Sequence, residues 1–378
     1  MDLGFFALVA GVLLALLCVG LVLALVAVRL GTGRAERRRA ELRTPVWRLV
    51  LTMTTGEDDE VDEALAGLER ASRSEVAVVE ADAFGLLPKL RGASQERLRQ
   101  LLRHWGSAAR AEALVGSWSA VRRCRGLYRL GMLADPASLP LVLDRLGDRD
   151  FAVRRVAVQA LGSLGDASAV RPALDLVAGE PVLRRDLLAA LSRIGAASAP
   201  VLEQELVEAL AGVGGASVTG AGPTAEAGAS DELRPEEARA RRRAQLSAEG
   251  LGLVDAVGAA PVLARAALEV DDVPLQTACL DALGRLGSPA GSTALEAGLG
   301  HPVAEVRRTA AQALGLLGGP RAVPALTPVL EDPAVEVARA AAQALGRSGP
   351  AGAAALEEST APVARETVAL AALGTALR

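Results

Sequence analysis

The feature that most constrains this chain is that it repeats itself. Residues 150–177 read DFAVRRVAVQALGSLGDASAVRPALDLV, residues 301–333 read HPVAEVRRTAAQALGLLGGPRAVPALTPVLEDP, and residues 333–358 read PAVEVARAAAQALGRSGPAGAAALEE. Each follows V-R-x-x-A-x-x-A-L-G-x-x-G, then a short turn, then a second apolar stretch. Weaker copies begin near Trp118, Pro181, Ala238 and Asp272. The turn position falls at Ala134, Gly165, Gly195, Gly258, Gly287, Gly318 and Gly349, about 30 residues apart except for one gap of about twice that. A fixed period of this size marks a stack of like units, each of which buries its apolar face only against its neighbours.

The spacing within a unit predicts a pair of helices. In 303–317 the apolar positions Val303, Val306, Ala310, Ala313, Leu314 and Leu317 recur with helical periodicity and define a buried stripe. Gly318-Gly319-Pro320 stops that helix, because glycine accepts a left-handed cap and proline cannot continue the turn. Val323, Leu326, Val329 and Leu330 form the stripe of the second helix, and Asp332-Pro333 opens the next unit. Cys124 lies on the stripe Val121, Leu127, Leu130, and Cys279 on Leu275, Leu283, Leu286, so both cysteines read as core packing. A β fold is disfavoured: aromatics make up 2% of the chain and isoleucine occurs once, at Ile194. The expected fold class is therefore all-α.

The repeat resembles HEAT repeats in the short form also found in phycobilisome lyases, over roughly residues 118–378. The resemblance implies an α-solenoid of about seven to nine helix pairs, with the final ARETVALAALGTALR as a cap. Residues 57–117 read as a helical region with degenerate repeats, around 75–92 and 94–115. HEAT-like units occupy 118–211 and 236–378. Between them, 212–235 is a Gly/Ala/Ser-rich stretch without apolar periodicity, read as a flexible loop that doubles the spacing. Arg239 and Arg241, Arg242 and Arg243 follow it, read as a solvated helix face.

Residues 4–28 form one uninterrupted apolar run, long enough to span a bilayer at about 20 residues. A cleaved signal peptide fits poorly, since the core is too long and no small-residue cleavage site follows. The segment 29–56 is basic: Arg29, Arg34, Arg37, Arg38 and Arg39 flank the run, while only Asp2 precedes it. The positive-inside rule then predicts a single-pass protein of the cell membrane, N-terminus out, with the solenoid in the cytoplasm. These arginines and Trp47 are candidate membrane-interface residues; TPVWRLVLTM (44–53) reads either as a helix lying at the headgroups or as ordinary packing. The combination resembles a group of bacterial membrane-anchored HEAT-repeat proteins, some encoded beside membrane glycosyltransferases.

No catalytic constellation is legible. There is no P-loop, HExxH, GxSxG or strand-linked GxGxxG. Two histidines and three scattered cysteines give no metal site and no disulfide framework. No cofactor is expected. A net charge of −4 argues against a nucleic-acid partner. His301 precedes a unit where others carry Asp, and reads as its stand-in. Charge is patterned instead. First helices carry arginines such as Arg123, Arg154, Arg184 and Arg307; second helices and their exits carry acids. The arginines can pair with acids of the neighbouring unit, as a ladder tying repeats together. In HEAT arrays the second helices line the concave face, so Asp144, Asp175, Glu203, Glu205, Glu208, Glu269, Glu296 and Glu331 are candidates for an acidic groove receiving a basic or amphipathic partner segment. The expected function is a non-enzymatic, membrane-anchored scaffold for a membrane-associated protein partner, with a glycosyltransferase system as the guess for its setting. The alternative is a lyase-type enzyme built on the same repeats, which would need exposed, reactive cysteines. Nothing in the sequence sets the oligomeric state.

Overall fold

The computed structural model describes residues 21, 43–56, 58–216, 235–319 and 321–376. The expected membrane span 4–28, apart from Leu21, and Arg29, Arg34, Arg37, Arg38 and Arg39 lie outside the described residues. Among the described residues no helix is long and apolar enough to cross a membrane, and no strand occurs. Two compact units divide between Ala111 and Glu112.

The first unit contains α1 (43–55), α2 (Asp58–Glu69), α3 (Arg73–Leu86), α4 (Gly92–His104) and the start of α5 (Ser107–Val115). Its core holds Val50, Met53, Leu68, Leu98 and Leu102. Ser72 and Glu75 close a capping box at the head of α3, satisfying two backbone donors reciprocally. Trp105 donates its indole N–H to the Leu68 carbonyl at 3.0 Å. Segment 44–53 packs within this first unit, rather than on the repeat array as one reading had it. Val46, Val50 and Met53 are buried, Trp47 is half-buried, and the Arg43 guanidinium stacks 5.8 Å from its ring centroid. The apolar face that an interfacial helix would give to lipid is taken up inside the unit.

The second unit is a stack of helix pairs. The first helices are α6 (Ala120–Leu133), α8 (Phe151–Leu164), α10 (Arg184–Ile194), α12 (Pro235–Leu253), α14 (Val273–Leu286), α16 (Ala304–Leu317), α18 (Val335–Arg347) and α20 (Pro362–Ala376). The second helices are α7 (Leu139–Asp144), α9 (Val170–Gly179), α11 (Ala199–Ala216), α13 (Ala260–Glu269), α15 (Ser292–Gly298), α17 (Ala322–Leu326) and α19 (Gly349–Glu358). Successive first helices pack on one another in chain order from α6 to α20.

The A-L-G of the repeat is explained at these contacts. The glycine of one first helix faces the alanine of the next: Gly131 on Ala160, Gly162 on Ala190, Gly252 on Ala282, Gly284 on Ala313, Gly315 on Ala344. A Cβ at Gly162 would lie 2.5 Å from the Ala190 Cα, so this approach admits only glycine. Close packing of this kind maximises dispersion contacts along the stack.

Each first helix turns into its second through a left-handed or otherwise positive-φ residue, at Ala134, Gly165, Gly195, Gly287, Gly318 and Gly349 as the sequence predicts. The seventh differs. Gly258 sits in a 3₁₀ turn, and the positive φ falls on Asp255, at +52°. Asp is among the few non-glycine residues that tolerate this region. Val121 and Val303, expected on buried stripes, are exposed at 72% and 39%; both lie at the entry of a first helix, ahead of where the neighbouring helix packs. The stretch 212–235 is also shorter as a break than expected: α11 continues to Ala216 and α12 begins at Pro235, leaving 217–234 outside the described residues.

Candidate functional site

The ladder of first-helix arginines is present. Arg123 donates to Asp148 at 2.8 Å, Arg154 to Glu180 at 3.0 Å, and Arg307 to both oxygens of Asp332 at 2.7 and 2.9 Å. Each arginine also donates to backbone carbonyls at the entry of its own helix, such as Trp118 O, Asp148 O and His301 O. Each aspartate in turn accepts a backbone N–H of the next unit, from Asp150 or Ala334. One side chain thus joins two helix starts. Arg184, whose counterpart acid would fall in the break before α12, reaches Glu249 on α12 instead, at 2.8 Å.

His301 takes the aspartate's capping role, accepting the Val303 N–H on Nδ1 at 3.1 Å. The first helix facing it carries Gln276 where others carry arginine, and the buried Gln276 Oε1 has no hydrogen-bond partner.

The acidic second-helix residues do not form one open groove. Asp144 pairs with Arg145 beside it, and Glu269 with Arg265 one turn earlier. Glu203 is half-buried, while Glu296 and Glu331 stand exposed on separate units. Only Asp175, Glu205 and Glu208 are brought together, and Glu205 corrects the expectation of an exposed acid: it is 3% exposed. It lies on the buried stripe of α11 between Leu202 and Leu206, so its burial was legible from its position.

The counter-charge comes from the helix after the break. α12 starts roughly two turns before the register of the other first helices and packs against α9 and α11. Within the shared register, its Arg243 reaches Asp175 at 2.5 Å and lies 3.5 Å from Glu205. Arg171 on α9, which the sequence reading did not single out, approaches Glu205 at 2.9 Å and Glu208 at 2.9 Å. Burial pushes the Glu205 carboxyl above the usual range, although Arg171 and Arg243 pull it down. The Glu208 carboxyl, hydrogen-bonded by Arg171, is held below it.

Beside this cluster opens a cleft of ≈390 Å³. Glu205 and Glu208 line one side, Glu237 and Arg241 another, and Val270 and Leu275 supply an apolar wall. Glu205 Oε1 is buried and ion-paired to the Arg171 Nε at 2.9 Å, outside hydrogen-bond geometry. Around the cleft, Asp175, Glu205, Glu208, Glu237 and Asp272 face Arg171, Arg241 and Arg243, so negative charge is in surplus. An amphipathic cation fits such a lining.

Paired helices in register, with a turn residue and an Arg–acid tie repeated at each unit, define a protein of the α-solenoid repeat class. The family model for HEAT repeats matches residues 107–192 and 293–374, and the chain carries HEAT repeats there. No curated protein matches the chain by sequence. Among solved structures it is similar to human deoxyhypusine hydroxylase, at 22% identity over 71% of this chain and 96% of that one, with a TM-score of 0.28. It is also similar to the CpcE–CpcF complex of phycocyanin lyase from Nostoc sp. PCC7120, at 22% identity over 70% and 92%, TM-score 0.30. The similarity to Kap121p is 11% identity over 85% of this chain and 40% of that chain, TM-score 0.41. These likenesses carry no argument about activity, and none of them supports a glycosyltransferase setting.

Proposed function

We propose that this protein is a membrane-anchored scaffold, not an enzyme, that holds a partner protein at the cleft between α11 and the first helices α12 and α14. The cleft beside Glu205 receives a basic side chain of that partner, with an apolar neighbour against Val270 and Leu275. The observation that carries this reading is the surplus of carboxylate around a cleft with an apolar wall. A complementary cation gains both steering and register there. Cys279 supports the non-enzymatic part, being fully buried with its thiol pushed up by burial; Cys124, expected in the core, is partly exposed, its thiol raised by burial and by Asp150. The anchor is residues 4–28, with the arginines that follow on the cytoplasmic side. Confinement to the membrane raises the effective concentration for a membrane-bound partner.

The test is photocrosslinking from Glu208 and Glu237 positions in native membranes, using the full chain and mass spectrometry. The expected outcome is one dominant partner, contacting the probe through a Lys- or Arg-bearing segment and lost in the exposed double reversal Glu208→Arg, Glu237→Arg. A partner captured equally by the reversed protein would sink the cleft as the binding site.

A further inference from the structure

A second pocket, unlike the first in charge, opens where the first repeat begins. It has a volume of ≈330 Å³ and lies between the end of α5, the start of α6 and the turn after α7. Arg123, Arg145 and Arg149 line it, against one carboxylate, Asp148. Arg123 is 6% exposed and gives its Nη atoms to Asp148, Ser117 O and Trp118 O. Its Nε and that of Arg145 are buried and have no acceptor. Arg149 is exposed. Buried guanidinium donors without acceptors are costly, and an anion settled between them supplies what is missing.

The residues that follow the lining into α6 include exposed apolar side chains. Trp118 is 83% exposed and Val121 72%. Phe151 and Val182 are exposed at the corresponding entries of the next two first helices. Because α6, α8 and α10 are stacked in register, these residues form one row along the edge of the array. Exposed Arg122, Arg149 and Arg185 lie among them. Further along, the same entry positions carry Val303 and Val335, but beside Glu305 and Glu336. The edge is therefore basic and aromatic at α6 and α8, while acids accompany the valines at α16 and α18.

We propose that this pocket binds the phosphate of an anionic phospholipid headgroup, with Trp118, Val121, Phe151 and Val182 seated in the membrane interface around it. Trp beside arginine is the composition of interfacial anchors, and a row of separate apolar tips fits a planar surface. A free phosphate would use the arginines but not these apolar tips. The choice of lipid as carrier rests on the membrane-anchored reading above; the pocket itself does not.

The experiment is hydrogen exchange on the full chain reconstituted in phosphatidylcholine vesicles, with and without phosphatidic acid, and separately with inorganic phosphate. Flotation on the neutral vesicles reports the anchor independently. The expected result is about tenfold slower exchange over 115–123 and 145–151 when phosphatidic acid is present, lost in Arg145→Glu, Arg149→Glu and reduced in Arg149→Glu alone. Arg123 is left intact because Asp148 depends on it. Equal protection by inorganic phosphate, or none in either vesicle, would overturn the lipid site; failure to float on neutral vesicles would overturn the anchor instead.

Discussion

Two seams of the stack, α6–α8 and α14–α16, share their packing and differ in their electrostatics. Both bring a glycine onto an alanine, Gly131 on Ala160 and Gly284 on Ala313. At the first seam Arg123 ties α6 to Asp148 with both side chains almost fully buried. At the second, Gln276 and His301 hold the corresponding places, and Gln276 Oε1 is left without a partner. Close glycine–alanine packing is thus common to both seams, and the ion pair is an addition that the second lacks. A buried pair is weak evidence of net stabilisation, but it is strongly destabilising to break by halves. The difference therefore lies less in how firmly each seam is built than in what its loss would cost.

The largest effect should come from Asp148→Ala, which strands the Arg123 guanidinium in the interior. We expect a loss of about 3–5 kcal/mol by denaturant unfolding. The matching change at the other seam, His301→Ala, removes only a cap and should cost about 1 kcal/mol. Equal losses would show that the ion pair is not what distinguishes the seams. Next come Gly131→Val and Gly284→Val. The added Cβ would meet the facing alanine Cα at 3.0 and 2.7 Å, so both should lose about 2–3 kcal/mol. If only one did, the packing would not be common to both seams.

Smaller is the gain from installing the missing tie. Gln276→Arg with His301→Asp should raise stability by about 1 kcal/mol and slow hydrogen exchange in α14 and α16. Either change alone should destabilise, since each leaves a buried charge or acceptor uncompensated.

Much of this was readable before any coordinates. Self-similarity located the helix pairs, and glycine located six turns, counting Ala134 by register. It failed at Asp255, because an aspartate occupied the left-handed position and the nearby Gly258 drew the assignment. The stripes were right at their centres; Val121 and Val303 at their starts are exposed, and Cys124, Leu317, Val323 and Val329 are only half-buried. The ladder was legible as one of two options. The cluster around Glu205 was not, because it joins side chains of α9, α11 and α12 across the break. Register gives the pairing of equivalent helices; it does not give contacts among three inequivalent ones. Arg243 consequently read as solvated, and Arg171 went unnoticed as the one base of α9, opposite its single acid Asp175.

The smallest effect distinguishes two buried carboxylates of opposite sign. Arg307 holds the Asp332 carboxyl below its ordinary value of 3.8, so its contribution is present above that value and fades as pH falls through the folded pKa. Burial instead raises the Glu205 carboxyl above its ordinary 4.5, so folding favours the protonated form there, and stability declines as pH rises from 4.5 through the folded pKa. Asp332→Asn should therefore flatten the acid limb of a stability–pH curve, and Glu205→Gln should flatten the limb just above it. At pH 7, where the buried Glu205 charge is only partly offset, Glu205→Gln should change stability by less than about 1 kcal/mol in either direction. A loss of several kcal/mol would mean that Arg171 and Arg243 depend on that charge, and that the cluster is a structural tie like the ladder rather than a site with negative charge to spare.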